Sequence, residues 1–238
     1  MWSNGRSEAA LEAALPVPIE IRPIRSARRL RLRFDDGTAT LKLTCPMRTS
    51  RRAALAWALD QREWIEAQLA RALPAEPFAS GQTIPIEGED VLIVWEEARP
   101  RTPRLVDGML HCGGPPAGLS RRIESFLKKR AIETMSREVL EYASKAGLAA
   151  SLVAIGDAGS RWGSCSSQGR IRLSWRLILA PPKARRYVVA HEVAHLRHLN
   201  HGPQFKALEA TLFGPDLEEA KAILRREGPR LRRIGRRS

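Results

Sequence analysis

One run near the C-terminal end, Val188 to His201, restricts the fold of this 238-residue chain more than any other. It carries His191-Glu192-x-x-His195 inside a helix-forming context. On an α-helix, residues i and i+4 stand about 40° apart on one face, one turn displaced. Two imidazoles there converge on one point, and Glu192, beside the first, reaches whatever they hold. The spacing matches a zinc-hydrolase arrangement in which two histidines bind metal and the glutamate is general base. Val188, Val189, Val193, Ala194 and Leu196 give the helix apolar surface on several sides, so the sequence predicts a buried central helix. Four of the five histidines fall within His191–His201, the other being His111. A scattering of solvated histidines would not cluster in this way.

The third ligand is a choice between His198 and His201. His198 projects from the same face as His191, but a straight helix separates the two by ~10 Å along its axis. Three nitrogens bound to one zinc must lie within ~4 Å of each other. Asn200 and Gly202-Pro203 end the helix and turn the chain, which lets His201 fold back. The reading is therefore His191, His195 and His201 as metal ligands, with an open fourth position for water. His198 is left as a neighbour of the site or a solvated residue.

The rest of the chain supports a globular domain or two. No apolar run approaches the ~18 residues of a membrane span. Met1 to Leu15 does not read as a signal peptide. Cys45, Cys112 and Cys165 show no paired spacing, so a disulfide framework is not expected and a cytoplasmic location fits. The formal net charge of +14 permits non-specific binding to nucleic acid or other polyanions. A basic surface with no dedicated partner accounts for it equally well, and along the sequence no aromatics interleave with the arginines as in single-strand stacking platforms.

In order, residues 1–17 read as disordered and 18–114 as a β-rich N-terminal subdomain. Within that subdomain, a hairpin turns at Asp35-Asp36-Gly37 and one helix runs from Ser50 to about Leu73. Two further hairpins turn at Glu87-Gly88 and Asp107-Gly108. Gly113-Gly114-Pro115-Pro116 is the expected boundary to a catalytic subdomain, 115–226. That part holds one amphipathic helix from Leu119 to Ala146 stopped by Gly147, a strand at Ser151–Ile155, and a strand at Arg170–Leu179. Pro181-Pro182 opens the metal helix, and Asp216 with Glu219 resembles a capping box. Residues 227–238 read as a mobile basic tail. The fold class expected is α+β, with a central metal-binding helix and a small mixed or antiparallel sheet.

Four segments together resemble the YgjP-like metallopeptidases, a family related to the SprT-like zinc proteases. They are Arg161-Trp162-Gly163-Ser164-Cys165-Ser166, Trp175-Arg176-Leu177-Ile178, the histidine helix, and His201-Gly202-Pro203-Gln204-Phe205. The resemblance covers roughly residues 20–225. It implies a zincin-like fold with zinc on His191, His195 and His201 and Glu192 as the glutamate. Some zincins with this ligand interval turn at a glycine where His198 stands, so the turn is expected slightly later, near Asn200. A peptide substrate is expected to pair with an edge strand within Arg170–Ile178. His198 and Arg161 are candidate oxyanion stabilisers. Cys165 is either a fourth zinc ligand that closes the site or a small buried residue of a hairpin. The function expected is zinc-dependent peptide hydrolysis. The alternatives are a protease acting on DNA-bound proteins and a non-catalytic zinc-stabilised binding module.

Overall fold

The computed structural model describes residues 7–35, 38–71, 76–157 and 161–236. The chain divides into two compact units, Met1–Pro74 and Ala75–Ser238. The division thus follows the helices of the first unit rather than the expected glycine–proline punctuation at 113–116.

In the first unit, α1 (Glu8–Ala13) is capped by the Ser7 hydroxyl, which accepts from the Ala10 N–H. Leu11 on its inner face is buried, so this part of the expected disordered leader is helical; residues 1–6 lie outside the described residues. Strands β1 (Ile19–Ile24), β2 (Arg31–Asp35) and β3 (Thr40–Pro46) form a sheet in the order β1-β3-β2. The alternation predicts which side faces in: Leu41 and Leu43 are buried, while Arg31 and Arg33 face out. Most of the predicted turn, Asp36-Gly37, lies outside the described residues, but β2 and β3 pair antiparallel across it. The single helix predicted after Ser50 is two, α2 (Arg51–Asp60) and α3 (Arg62–Arg71), broken at Gln61.

The second unit begins with β4 (Thr83–Ile86), β5 (Glu89–Trp95), β6 (Arg104–Val106) and β7 (Met109–Cys112), ordered β4-β5-β7-β6. Its two hairpins turn where predicted. Glu87 and Gly88, and Asp107 and Gly108, all have positive φ, which matches the right-handed twist of the flanking strands. Glu87 is held in this conformation by Arg130, whose Nε donates to its carboxylate at 2.6 Å. Helix α4 (Leu119–Lys145) runs ~40 Å at 1.5 Å per residue. Ile123, Leu127, Met135 and Val139 form its buried stripe, and Gly147 at φ +62° ends it.

Strands β8 (Leu152–Gly156), β9 (Gly163–Cys165) and β10 (Arg170–Ser174) form a mixed sheet ordered β8-β10-β9. This corrects the sequence reading twice. The strand ends at Ser174, and Trp175–Leu179 is a buried 3-10 turn. In addition, β10 lies in the middle of the sheet, parallel to β8 on one side and antiparallel to β9 on the other. It has no free edge for a substrate; the open edges belong to β8 and β9.

Helices α5 (Pro182–Ala194), α6 (Pro203–Phe213) and α7 (Leu217–Leu231) complete the unit. Asp216 stands at the start of α7, but its carboxylate pairs with Lys183 rather than capping the helix. The expected mobile tail is largely built in. Helix α7 continues to Leu231, Ile234 is buried, and Gly235 N–H donates to the Glu76 carbonyl. Arg176, 3% exposed, anchors this end by donating to the Leu231 and Ile234 carbonyls and to Asp157. Among the described residues no helix is long and apolar enough to cross a membrane.

Candidate metal centre

Helix α5 is fixed before its histidines are reached. Arg185 and Glu138 of α4 are both buried and meet in a two-pronged contact, with Nε and Nη2 donating to Oε1 at 3.1 and 2.9 Å. A buried fork of this kind fixes register and orientation because a slip would strand a charge. Val188, Val189, Ala190, Val193 and Ala194 then bury the helix on several sides, as the apolar pattern predicts.

The helix ends earlier than expected. Ala194 is its last residue, and the backbone tightens over His195–Arg197, with Leu196 N–H bonding to Val193 and Arg197 N–H to Ala194. The turn therefore comes before His198, not near Asn200. It gives His198 a use that the sequence did not show: its backbone carbonyl accepts from His195 Nδ1 at 3.0 Å. His201, on the following loop, returns to the helix, and its Nε2 lies 3.2 Å from His191 Nε2. Ligand atoms of His191, His195 and His201 all lie within 4.8 Å of one another. That spacing suits three nitrogens held at ~2.1 Å from one ion. Cys165 is not a member of this cluster. Burial, and next the Glu192 charge, push its thiol up to about 11, the opposite of an activated thiolate.

Helix α6, entered through Gly202-Pro203, supplies two side chains whose place at the site the sequence does not show. Glu209, 4% exposed, accepts from His191 Nδ1 at 2.6 Å, leaving Nε2 turned to the cluster. Burial raises the Glu209 carboxyl, but the hydrogen bond and charge of His191, with Lys221, outweigh it and keep it below the ordinary range. Phe205 packs against all three histidine rings, with centroids 4.5 to 5.0 Å away. The available signal is a carboxylate on the face that Phe205 and Leu212 share, four residues after the one and three before the other. His195 is shifted below the usual imidazole range, chiefly by burial, and so stays in the neutral form that a metal requires.

Glu192 is 4% exposed, and its Oε2 has no hydrogen-bond partner. Burial pushes its carboxyl up to about 7, against the pull of His191 and Arg161. An orphaned buried carboxylate beside three converging imidazoles is expected where a cation and its water complete the site. Gly163 of β9 lies directly against it: a Cβ there would come 2.5 Å from Glu192 Oε1. Trp162 next to it is partly buried, with the Arg232 guanidinium 4.4 Å over its ring.

Imidazoles on a buried helix, oriented from behind by a carboxylate and a carbonyl, with a carboxylate alongside and one face open at His201, make a candidate metal centre of the kind that metallohydrolases use. The chain belongs to the YgjP-like family: the sequence model of its metallopeptidase domain matches residues 28–227. The metallopeptidase zymogen abylysin of Pyrococcus abyssi aligns with a TM-score of 0.36 and 21% identity, over 42% of this chain and 97% of that one. Comparison with curated proteins gives no match.

Proposed function

We propose that the chain is a zinc-dependent peptidase whose metal is held by His191, His195 and His201 and whose general base is Glu192. The observation that carries this reading is the convergence of the three imidazoles beside the unpartnered Glu192 carboxylate. Zinc fits the donor set: three nitrogens with an open position, and a hydrolysis that needs no redox change. Bound there, zinc supplies Lewis acidity that polarises a scissile carbonyl and lowers the pKa of water.

The chain's own groups do the rest. Glu209 and the His198 carbonyl fix the tautomers of His191 and His195, so both present Nε2. Glu192 takes a proton from the attacking water and delivers it to the leaving amine. The outer edge of β9, flanked by β10 on its other side, is the strand that an extended peptide would join, because Gly163 brings it against Glu192. Arg161, which acts electrostatically on Glu192, is the better of the two oxyanion candidates; the contact made by His198 runs through its backbone. A protein- or peptide-cleaving role follows from this reading.

Glu192→Gln is the test. The full chain should purify with an equimolar amount of zinc in both forms, and the substitution should abolish cleavage of an unfolded protein while zinc is retained. Undiminished cleavage overturns the base assignment. Cleavage by neither form, with zinc bound in both, leaves a non-catalytic zinc-stabilised module in its place.

A further inference from the structure

A second cleft in the Ala75–Ser238 unit shares no residue with the histidine centre. It has a volume of about 770 Å³ and lies along the N-terminal half of α4, with the loop at 101–103 as its other wall. Five of its side chains are cationic: Arg101, Arg121, Arg122, Lys129 and Arg130. Glu133 is the one carboxylate lining it, 4.0 Å from Lys129. The helical period explains the grouping. Residues 122, 125, 126, 129 and 133 recur at three and four along α4 and so share a face, with Gly118 just before the helix. Phe126 sits on that face, partly exposed, between Arg122 one turn before it and Arg130 one turn after.

The cations are of two kinds. Arg122 and Arg130 are held. Arg122 Nη2 donates to the Pro115 carbonyl at 2.8 Å and its Nε to Cys112 Sγ at 3.3 Å, while its Nη1 lies over Gly118 at the cleft. Arg130 is fixed by Glu87. Arg101 and Arg121 are exposed and have no carboxylate partner among the described residues. Leaving guanidinium groups unpaired around a shared concavity raises their mutual repulsion, which an anionic ligand relieves.

We infer that this cleft binds single-stranded nucleic acid. The guanidinium fork matches a phosphate oxygen pair, and a partly exposed phenyl ring amid such cations offers a stacking face to a base. An acidic peptide would use the charges but not the ring, so the bases discriminate between the two ligands. The linear sequence hides the arrangement because Arg101 and Phe126 are 25 residues apart and meet only across the cleft.

The test is fluorescence anisotropy of the full chain with a labelled twelve-base oligonucleotide, as DNA and as RNA, with poly-glutamate as competitor. Three phosphates neutralised by Arg101, Arg121 and Lys129 weaken binding by roughly 20-fold between 50 and 200 mM salt, at ~0.7 counterions per phosphate. The triple variant Arg101→Gln, Arg121→Gln, Lys129→Gln should lose about tenfold or more at 50 mM. The variant Arg25→Gln, Arg28→Gln, Arg29→Gln removes the same charge from the other unit and should bind as wild type. An oligonucleotide of abasic sites should bind roughly tenfold more weakly to wild type, a difference that Phe126→Leu should erase. Preference for DNA or for RNA supports the assignment equally. Equal loss in the two triple variants, an absent base effect, or poly-glutamate binding as tightly as the oligonucleotide each overturns it.

Discussion

Replacing Gly163 by alanine tests whether the chemistry depends on where Glu192 stands. Gly163 lies in β9 opposite Leu173, and its φ is outside the positive range, so the strand itself accepts an alanine. The obstacle is space. The new methyl would lie 2.5 Å from Glu192 Oε1, 2.6 Å from its Cγ and 2.8 Å from its Cδ. Ordinary contact is about 3.5–4.0 Å, so the carboxylate must withdraw by about 1 Å. At 4% exposure it has no solvent side to swing into. A displacement of that size costs about 10²-fold in rate. Overpacking adds about 1–3 kcal/mol of destabilisation, or a Tm lowered by roughly 2–4 °C per kcal/mol. The assay is release of fluorescent fragments from labelled casein at saturating zinc, with zinc content read in parallel by a chromophoric chelator and Tm by calorimetry. The expected pattern is full metal loading, a modest fall in Tm, and a rate down about a hundredfold. Wild-type cleavage with metal bound would refute the placement of Glu192 as the acting base.

Glu209→Gln keeps the size of the side chain but loses the charge behind His191, and zinc affinity should fall about 10- to 100-fold in a chelator competition titration; unchanged affinity would remove Glu209 from the site. Cys165→Ser should leave zinc stoichiometry and affinity at wild-type values, and loss of zinc would instead make Cys165 the fourth ligand. Burial would raise the Asp157 carboxyl, but the Arg176 hydrogen bonds and the charges of Arg176 and Arg236 outweigh it and hold it below the ordinary range. Its folded pKa is therefore depressed, so its contribution to stability is present above the unfolded value of about 3.9 and is lost as pH falls through the folded value. Asp157→Asn should cost about 3 kcal/mol near neutrality, and the gap to wild type should narrow in acid denaturation series; a gap constant from neutral pH to pH 2 would contradict the ion pair.

The features legible in the sequence are those encoded within one element or one turn. The i, i+4 spacing of His191 and His195, the stripe of α4, and the hairpins at Glu87-Gly88 and Asp107-Gly108 all follow from local period and turn chemistry. Misreadings came where local signals are ambiguous. Trp175–Leu179 is apolar but for Arg176 and fits a strand as well as a buried 3-10 turn, so the sequence predicts a longer β10 than the fold has. An arginine-rich ending reads as solvated, yet Leu231 and Ile234 pin it inward. Nothing in the order of residues says which strand of β8, β9 and β10 is central, because the parallel pairing of β8 with β10 spans intervening chain.

By itself the sequence singled out the three histidines that the fold gathers and set the spacing of the first two, because helical period is a property of the backbone. The tertiary structure decided what those donors face. The return of His201, the Glu209 carboxylate behind His191, the Phe205 ring beneath all three imidazoles, and the gap at Gly163 that admits Glu192 are contacts between separate elements. Packing sets them, and the donors' spacing along the chain does not record them.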